Sequence, residues 1–189
     1  MQNIIITGAS HGIGRALAKK LSKKYHIINI DIVENKMDKV DFYKCDLSDK
    51  SKLLKTIEKI KTNIDSLYAL INNAALFSSK SLEKQTLEEW ENIISINLTA
   101  PYILSKEFAS MLKQSKGHII NISSTRASMS EAGTEAYSSS KGGISSLTHA
   151  LAITLSPDVK VNSISPGWIN TNEEYLPTKV DNEQHPSGR

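Results

Sequence analysis

Five short, nearly uninterrupted apolar runs limit what this chain can fold into: Ile4–Ile6, Ile27–Ile30, Leu67–Ile71, Ile119–Ile122 and Val159–Ile164. A strand with one wet face alternates apolar and polar residues, whereas a strand buried on both faces reads as a continuous branched apolar run. The segments between the runs carry apolar residues at helical spacing. Ile13, Ala16, Leu17 and Leu21 form one stripe, Leu53, Leu54, Ile57 and Ile60 a second, and Leu87, Trp90, Ile93 and Ile94 a third. Strand and helix alternate from Met1 to about Gly167, which predicts an α/β fold, a doubly wound parallel sheet of Rossmann type with right-handed crossovers. The stretch between Asp31 and Val40 is too short for a crossover helix, and a turn is expected there.

The first run leads into "TGASHGIG", with Gly8, Gly12 and Gly14 spaced G-x-x-x-G-x-G. A tight strand-to-helix turn, and a backbone that approaches a phosphate closely, both need residues without a Cβ. The following helix points free N–H groups and the positive end of its dipole at an anion. Ser10, His11 and Ile13 belong to the same turn and are expected against the nucleotide. The second run ends in Asp31, placed to accept hydrogen bonds from both adenosine ribose hydroxyls and to repel a 2′-phosphate. The cofactor expected is NAD rather than NADP, although Arg15 nearby could attract a phosphate.

In "EAYSSSKGG", Tyr137 stands four residues before Lys141. At that spacing two side chains share a helix face, with Cβ atoms roughly 5–6 Å apart. A lysine cation favours phenolate over phenol, and unit charges about 4 Å apart at an effective dielectric near 20 interact by roughly 4 kcal/mol. Tyr137 is therefore the expected general acid/base. Gly142 and Gly143 are odd inside a helix and suggest a close approach by another element.

"TGASHGIG", "NNAA" (72–75), "INLTAP" (96–101), "NISS" (121–124), "YSSSK" (137–141) and "SPGWINT" (165–171) occur in this order. Together they resemble the short-chain dehydrogenase/reductase family over almost the whole chain. The resemblance implies an oxidoreductase that moves a hydride between a nicotinamide dinucleotide and an alcohol or carbonyl substrate. It implies a catalytic tetrad of Asn97, Ser124, Tyr137 and Lys141, in which Asn97 kinks its helix and holds a proton-relaying water. Ser124 is preferred to Ser123 because it lies thirteen residues before Tyr137. Asp46, with Leu47 beside it, matches the position that contacts adenine. Asn72, Asn73, Ala74, Pro166, Gly167, Ile169 and Thr171, together with Tyr137 and Lys141, match positions that line the cofactor. It further implies a homodimer or homotetramer. The chain departs from the pattern at Ala75, where a glycine is usual, and it stops at Arg189 where the family continues through a further helix and a seventh strand.

The net charge of +3, from 23 basic and 20 acidic residues, does not argue for nucleic acid. No run of about 20 apolar residues suggests a membrane span. The single cysteine, Cys45, fits a reducing compartment, and with no secretory signal at the start a cytoplasmic protein is expected. His11, His26, His118, His149 and His185 show no metal-ligand spacing. Trp168 is a candidate for the substrate pocket. Residues 1–171 are expected to form the dinucleotide-binding domain. Residues 172–189, with Pro177 and Pro186 and little apolar content, read as a mobile loop of that domain in a truncated chain. A catalytically silent nucleotide-binding sensor or scaffold is the alternative to an enzyme. The Tyr-Lys pair speaks against it, and the loop spacing speaks against a sugar-nucleotide epimerase.

Overall fold

Among the described residues, the five apolar runs and one further strand build a six-stranded sheet in which every pairing is parallel. The computed structural model describes residues 1–171 together with 176, 178, 179 and 183, so most of the expected tail loop, Pro177 and Pro186 included, lies outside the described residues. The strands are β1 (Asn3–Thr7), β2 (His26–Asp31), β3 (Val40–Lys44), β4 (Ala69–Asn72), β5 (His118–Ile122) and β6 (Lys160–Ile164), which lie across the sheet in the order β3-β2-β1-β4-β5-β6. The helices are α1 (Gly12–Leu21), α2 (Lys50–Asn63), α3 (Leu87–Ile94), α4 (Ala100–Glu107), α5 (Ala109–Gln114) and α6 (Glu135–Leu155).

The interior strands are mainly apolar because helices cover both faces. One cluster joins Ile5, Ile28, Ile30 and Leu70 to Leu53, Ile57, Ile60, Leu104 and Phe108; the other joins Ile4, Ile6, Ile27 and Ile71 to Ala18. The edge strand β3 (VDFYK) is only partly covered, which is why no apolar run announced it. It pairs with β2 across a connection that holds no helix, as the short 32–39 segment requires.

Three helical stripes are corrected by the packing. On α1 the buried alanine is Ala18, while Ala16 is exposed. On α2, Leu54 is 44% exposed, and Leu53, Ile57 and Ile60 carry the contact. On α3 the first turns stand clear of the body: Leu87 is 81% and Trp90 40% exposed, so Trp90 is not a core residue, and Ile93 is the one buried side chain of the helix. A capping box between Thr86 and Glu89 holds that exposed start.

β2 and β5 share the pentapeptide HIINI, and the asparagine in each is fully buried. A buried amide must be hydrogen-bonded. Asn121 donates to Thr148 Oγ1 at 2.8 Å and accepts from Asn72 Nδ2 at 2.8 Å, tying β4, β5 and α6 together. Asn29 turns instead to the glycine loop.

Candidate active site

The order of the sheet reverses between β1 and β4, and in open α/β sheets ligands bind outside the strand carboxyl ends at that point. The glycine loop occupies it. Gly8 and Gly12 have φ of +69° and +53°, backbone that L side chains rarely adopt. At Gly14 a Cβ would lie 2.2 Å from Gly8 O, so the start of α1 packs on the loop only without a side chain. Asn73 fastens the loop from the other side: its Nδ2 donates to Thr7 O at 2.9 Å and Gly8 O at 3.1 Å.

Beside the loop lies a cavity of about 570 Å³, within the size range of small-molecule sites. Gly8, His11, Gly12, Ile13, Asp31, Asp46, Leu47, Asn73, Ala74 and Thr171 line it, ten of the residues expected at the cofactor. Asp31 is fixed by backbone amides: Oδ2 accepts from Ser10 N at 3.0 Å and Oδ1 from Ile32 N at 2.7 Å. Asp46 Oδ1 accepts from Ser48 N at 2.9 Å and Ser48 Oγ at 2.7 Å. Arg15 is exposed.

A second cavity of about 190 Å³ shares Ile13, Asn73 and Ala75 with the first and brings in Ser124, Tyr137, Lys141, Pro166, Gly167 and Ile169. The cleft thus runs from two carboxylates, over a Cβ-free turn at a helix N-terminus, to a tyrosine and a lysine. That sequence of donors and acceptors suits a dinucleotide laid across it, with the diol end at Asp31, the anionic centre at the loop and the ring end at Lys141.

Tyr137 and Lys141 face the same way from α6, as the four-residue spacing predicts. The ammonium, however, is not at the phenolic oxygen. Lys141 is 2% exposed, and its Nζ donates to Ile122 O at 2.7 Å while lying 5.5 Å from the Tyr137 ring centroid. Burial pushes Lys141 down from its ordinary 10.5 to about 8, so it keeps most of its charge at neutral pH. Ser124 is half-buried at the end of β5; its Oγ accepts from Arg126 N at 3.1 Å, which leaves the hydroxyl proton to point elsewhere. Ser123 is engaged within α6, through Lys141 O and Ser145 Oγ.

Asn97 is 1% exposed and sits in a π-helical turn, Ser95–Thr99, a local rewinding of the helix. Its side chain accepts from Leu76 N at 2.8 Å and donates to Leu76 O and Ser140 Oγ, both at 3.0 Å. It lines neither cavity. Gly143 allows this turn to approach α6, since a Cβ there would lie 2.7 Å from Leu98 Cδ2, whereas a Cβ at Gly142 would meet only Ala127 O at an ordinary 3.8 Å.

Four expected residues hold the cavity walls without lining them. Ser10 is fully buried, Gly14 is packed under Gly8, Asn97 is turned to Leu76, and Asn72 is bonded to Asn121. Trp168 is 48% exposed and lines neither cavity. Sequence reasoning missed Asn92 and Ile96 along the first cavity, and Phe77, whose ring stands edge-on to Tyr137 at 5.0 Å. It also missed Asn29, although a lone amide inside an apolar strand run is a readable signal.

Comparison with known proteins agrees with this architecture. The model of the short chain dehydrogenase family matches residues 2–175. The chain belongs to the short-chain dehydrogenase family, and it is an oxidoreductase of that family. It is 42% identical to an uncharacterized oxidoreductase of Thermotoga maritima over 98% of this chain and 81% of that protein. It is 31% identical to the 3-oxoacyl-[acyl-carrier-protein] reductase FabG of Aquifex aeolicus over 98% of this chain and 82% of that one. Among solved structures, an apo SCOR enzyme from Clostridium thermocellum superposes with a TM-score of 0.91 at 39% identity, covering 100% of this chain and 79% of that chain. A 4-hydroxyisoleucine dehydrogenase complexed with NADH superposes with a TM-score of 0.85 at 33% identity, covering 90% and 77%. Among the described residues, no helix is long and apolar enough to cross a membrane.

Proposed function

We propose that the chain is an NAD-dependent dehydrogenase or reductase acting on a small-molecule alcohol or carbonyl, with Tyr137 as general acid/base. The observation that carries this is the meeting of Ser124, Tyr137 and Lys141 on one cavity that opens beside the glycine loop through Ile13 and Asn73. The two neighbouring proteins above, a reductase of 3-oxoacyl groups and a dehydrogenase complexed with NADH, support both directions of the reaction class and the dinucleotide.

Bound nicotinamide supplies the hydride acceptor for oxidation and the donor for reduction. In oxidation Tyr137 takes the proton of the substrate hydroxyl; in reduction it returns one to the carbonyl oxygen. The Lys141 ammonium favours the phenolate. It lies 5.5 Å from the Tyr137 ring centroid, near enough for its positive charge to lower the cost of forming the anion. Ser124, its oxygen already fixed by the Arg126 amide, donates its proton to the substrate oxygen and holds it against Tyr137. Asn97, through Leu76 and Ser140, fixes the distance between the loop after β4 and the catalytic helix. Asp31 accepts from the adenosine ribose hydroxyls and disfavours a 2′-phosphate, so NAD is preferred to NADP. A cytoplasmic homodimer or homotetramer that binds neither nucleic acid nor membrane completes the proposal.

The test is a titration of the chain with NADH, followed by turnover of a panel of ketones and alcohols. Saturable NADH binding and carbonyl-dependent NADH oxidation support the reading. Binding without turnover of any compound by the wild type would favour a sensor or scaffold.

A further inference from the structure

The connection 32–39 holds no helix, yet it is fastened to the glycine loop by a chain of hydrogen bonds through one serine. Ser10 uses every polar atom it has. Its amide donates to Asp31 Oδ2 at 3.0 Å, its hydroxyl to Val33 O, and its carbonyl accepts from Asn35 Nδ2 at 2.9 Å. Asn29, fully buried inside β2, completes the set: its Nδ2 donates to Ser10 Oγ at 3.0 Å and its Oδ1 accepts from Ala9 N at 3.0 Å. Gly8 N, bonded to Ile30 O at 3.0 Å, ties the start of the loop to the same strand.

We propose that Asn29 and Asn35 are positioning residues for the dinucleotide: acting through Ser10, they hold the Asp31 carboxylate in the one orientation that receives a ribose diol. This rests on the assignment of Asp31 to the adenosine ribose. A carboxylate on a strand end turns about its side-chain bonds unless something holds both oxygens. Here the Ser10 and Ile32 amides do so, one on each oxygen. Ser10 is in turn held by Asn29, which donates to its hydroxyl, and by Asn35, which donates to its carbonyl. Each carboxylate oxygen keeps a further lone pair for a ribose hydroxyl. The Asp31 charge repels a 2′-phosphate whether or not it is held, so these bonds serve chiefly the affinity for NADH. They also take the place of the absent crossover helix in fixing the cavity wall.

The experiment is a fluorescence titration of wild type, Asn35→Ala, Asn35→Gln and Asn29→Ala with NADH and with NADPH. Asn35 lies on a surface loop, so its variants fold; the melting transition of Asn29→Ala is checked first. Asn35→Ala is expected to raise the NADH Kd about fivefold, the worth of one hydrogen bond, and to leave the NADPH Kd within twofold. The preference for NADH narrows accordingly. Asn29→Ala goes in the same direction and further, and Asn35→Gln, which keeps an amide donor, recovers most of the loss. In turnover, the KM for NADH rises several times more than kcat falls, and hydrogen exchange at the Ser10 amide accelerates. Unchanged NADH affinity in both alanine variants, or equal weakening of both dinucleotides, overturns the proposal while leaving the dinucleotide site standing. A wild-type chain that binds neither dinucleotide overturns the assignment of Asp31 itself.

Discussion

Lys141→Met is expected to make the protein more stable while it abolishes turnover. The lysine is 2% exposed and has no carboxylate partner among the described residues; its ammonium is held by the Ile122 carbonyl. Burial brings it from 10.5 to about 8, a difference that corresponds to about 3 kcal/mol of unfavourable free energy for folding with the charge in place. Methionine fills nearly the same volume without a charge. It leaves Ile122 O without this donor, a loss of about 1 kcal/mol. The net gain is about 2 kcal/mol, which for a chain of this size raises Tm by roughly 4–8 °C. The pH dependence identifies the cause. Between about 8 and 10.5 the folded wild type binds fewer protons than the unfolded chain, so its stability rises with pH through that window. The advantage of the methionine variant is therefore full below about pH 8 and shrinks as the pH approaches 10.5. Thermal melts of both proteins at three or four pH values decide it. A variant that melts lower than wild type at pH 7, or one whose advantage does not change with pH, refutes the claim that a buried charge is held here at a cost.

Further outcomes are expected along the cleft. Isothermal titration should show NADH binding at least tenfold tighter than NADPH, about 1.4 kcal/mol, and Asp31→Ala should remove most of that difference. Gly14→Ala drives a Cβ to 2.2 Å from Gly8 O; it should lower stability by about 1–3 kcal/mol in denaturant melts and abolish NADH binding. Ser124→Ala should lower kcat for carbonyl reduction at least tenfold with the NADH Kd unchanged, whereas Ser123→Ala, whose hydroxyl is bonded within α6, should change mainly the melting temperature.

The lysine also illustrates what a sequence can and cannot carry. Spacing alone put Tyr137 and Lys141 on one face, because a helical period is a local property. It did not reveal that Nζ would rest on Ile122 O, since that contact depends on where β5 ends relative to α6. The interior strands were legible because burial on both faces demands continuous apolar runs. β3 was not, because an edge strand is free to carry Asp41 and Lys44. Trp90 looked like core because periodicity reports which face is apolar, not whether another element comes to cover it; on α3 only Ile93 is buried. At the site, the glycine loop and Asp31 were legible from residue type and position. Asn35 and Phe77 were not, because their partners lie on segments distant in sequence; Asn29 stands out as an amide in an apolar run, but the loop residues it bonds do not.

Tyr137→Phe tests the central claim most directly, since it removes only the transferable proton. The chain and this variant are compared for NADH affinity and, with a carbonyl compound that the wild type reduces, for NADH oxidation. The variant should bind NADH with an unchanged Kd and show no measurable turnover. A variant that keeps a tenth or more of the wild-type rate would contradict the claim, because some other group would then be moving the proton.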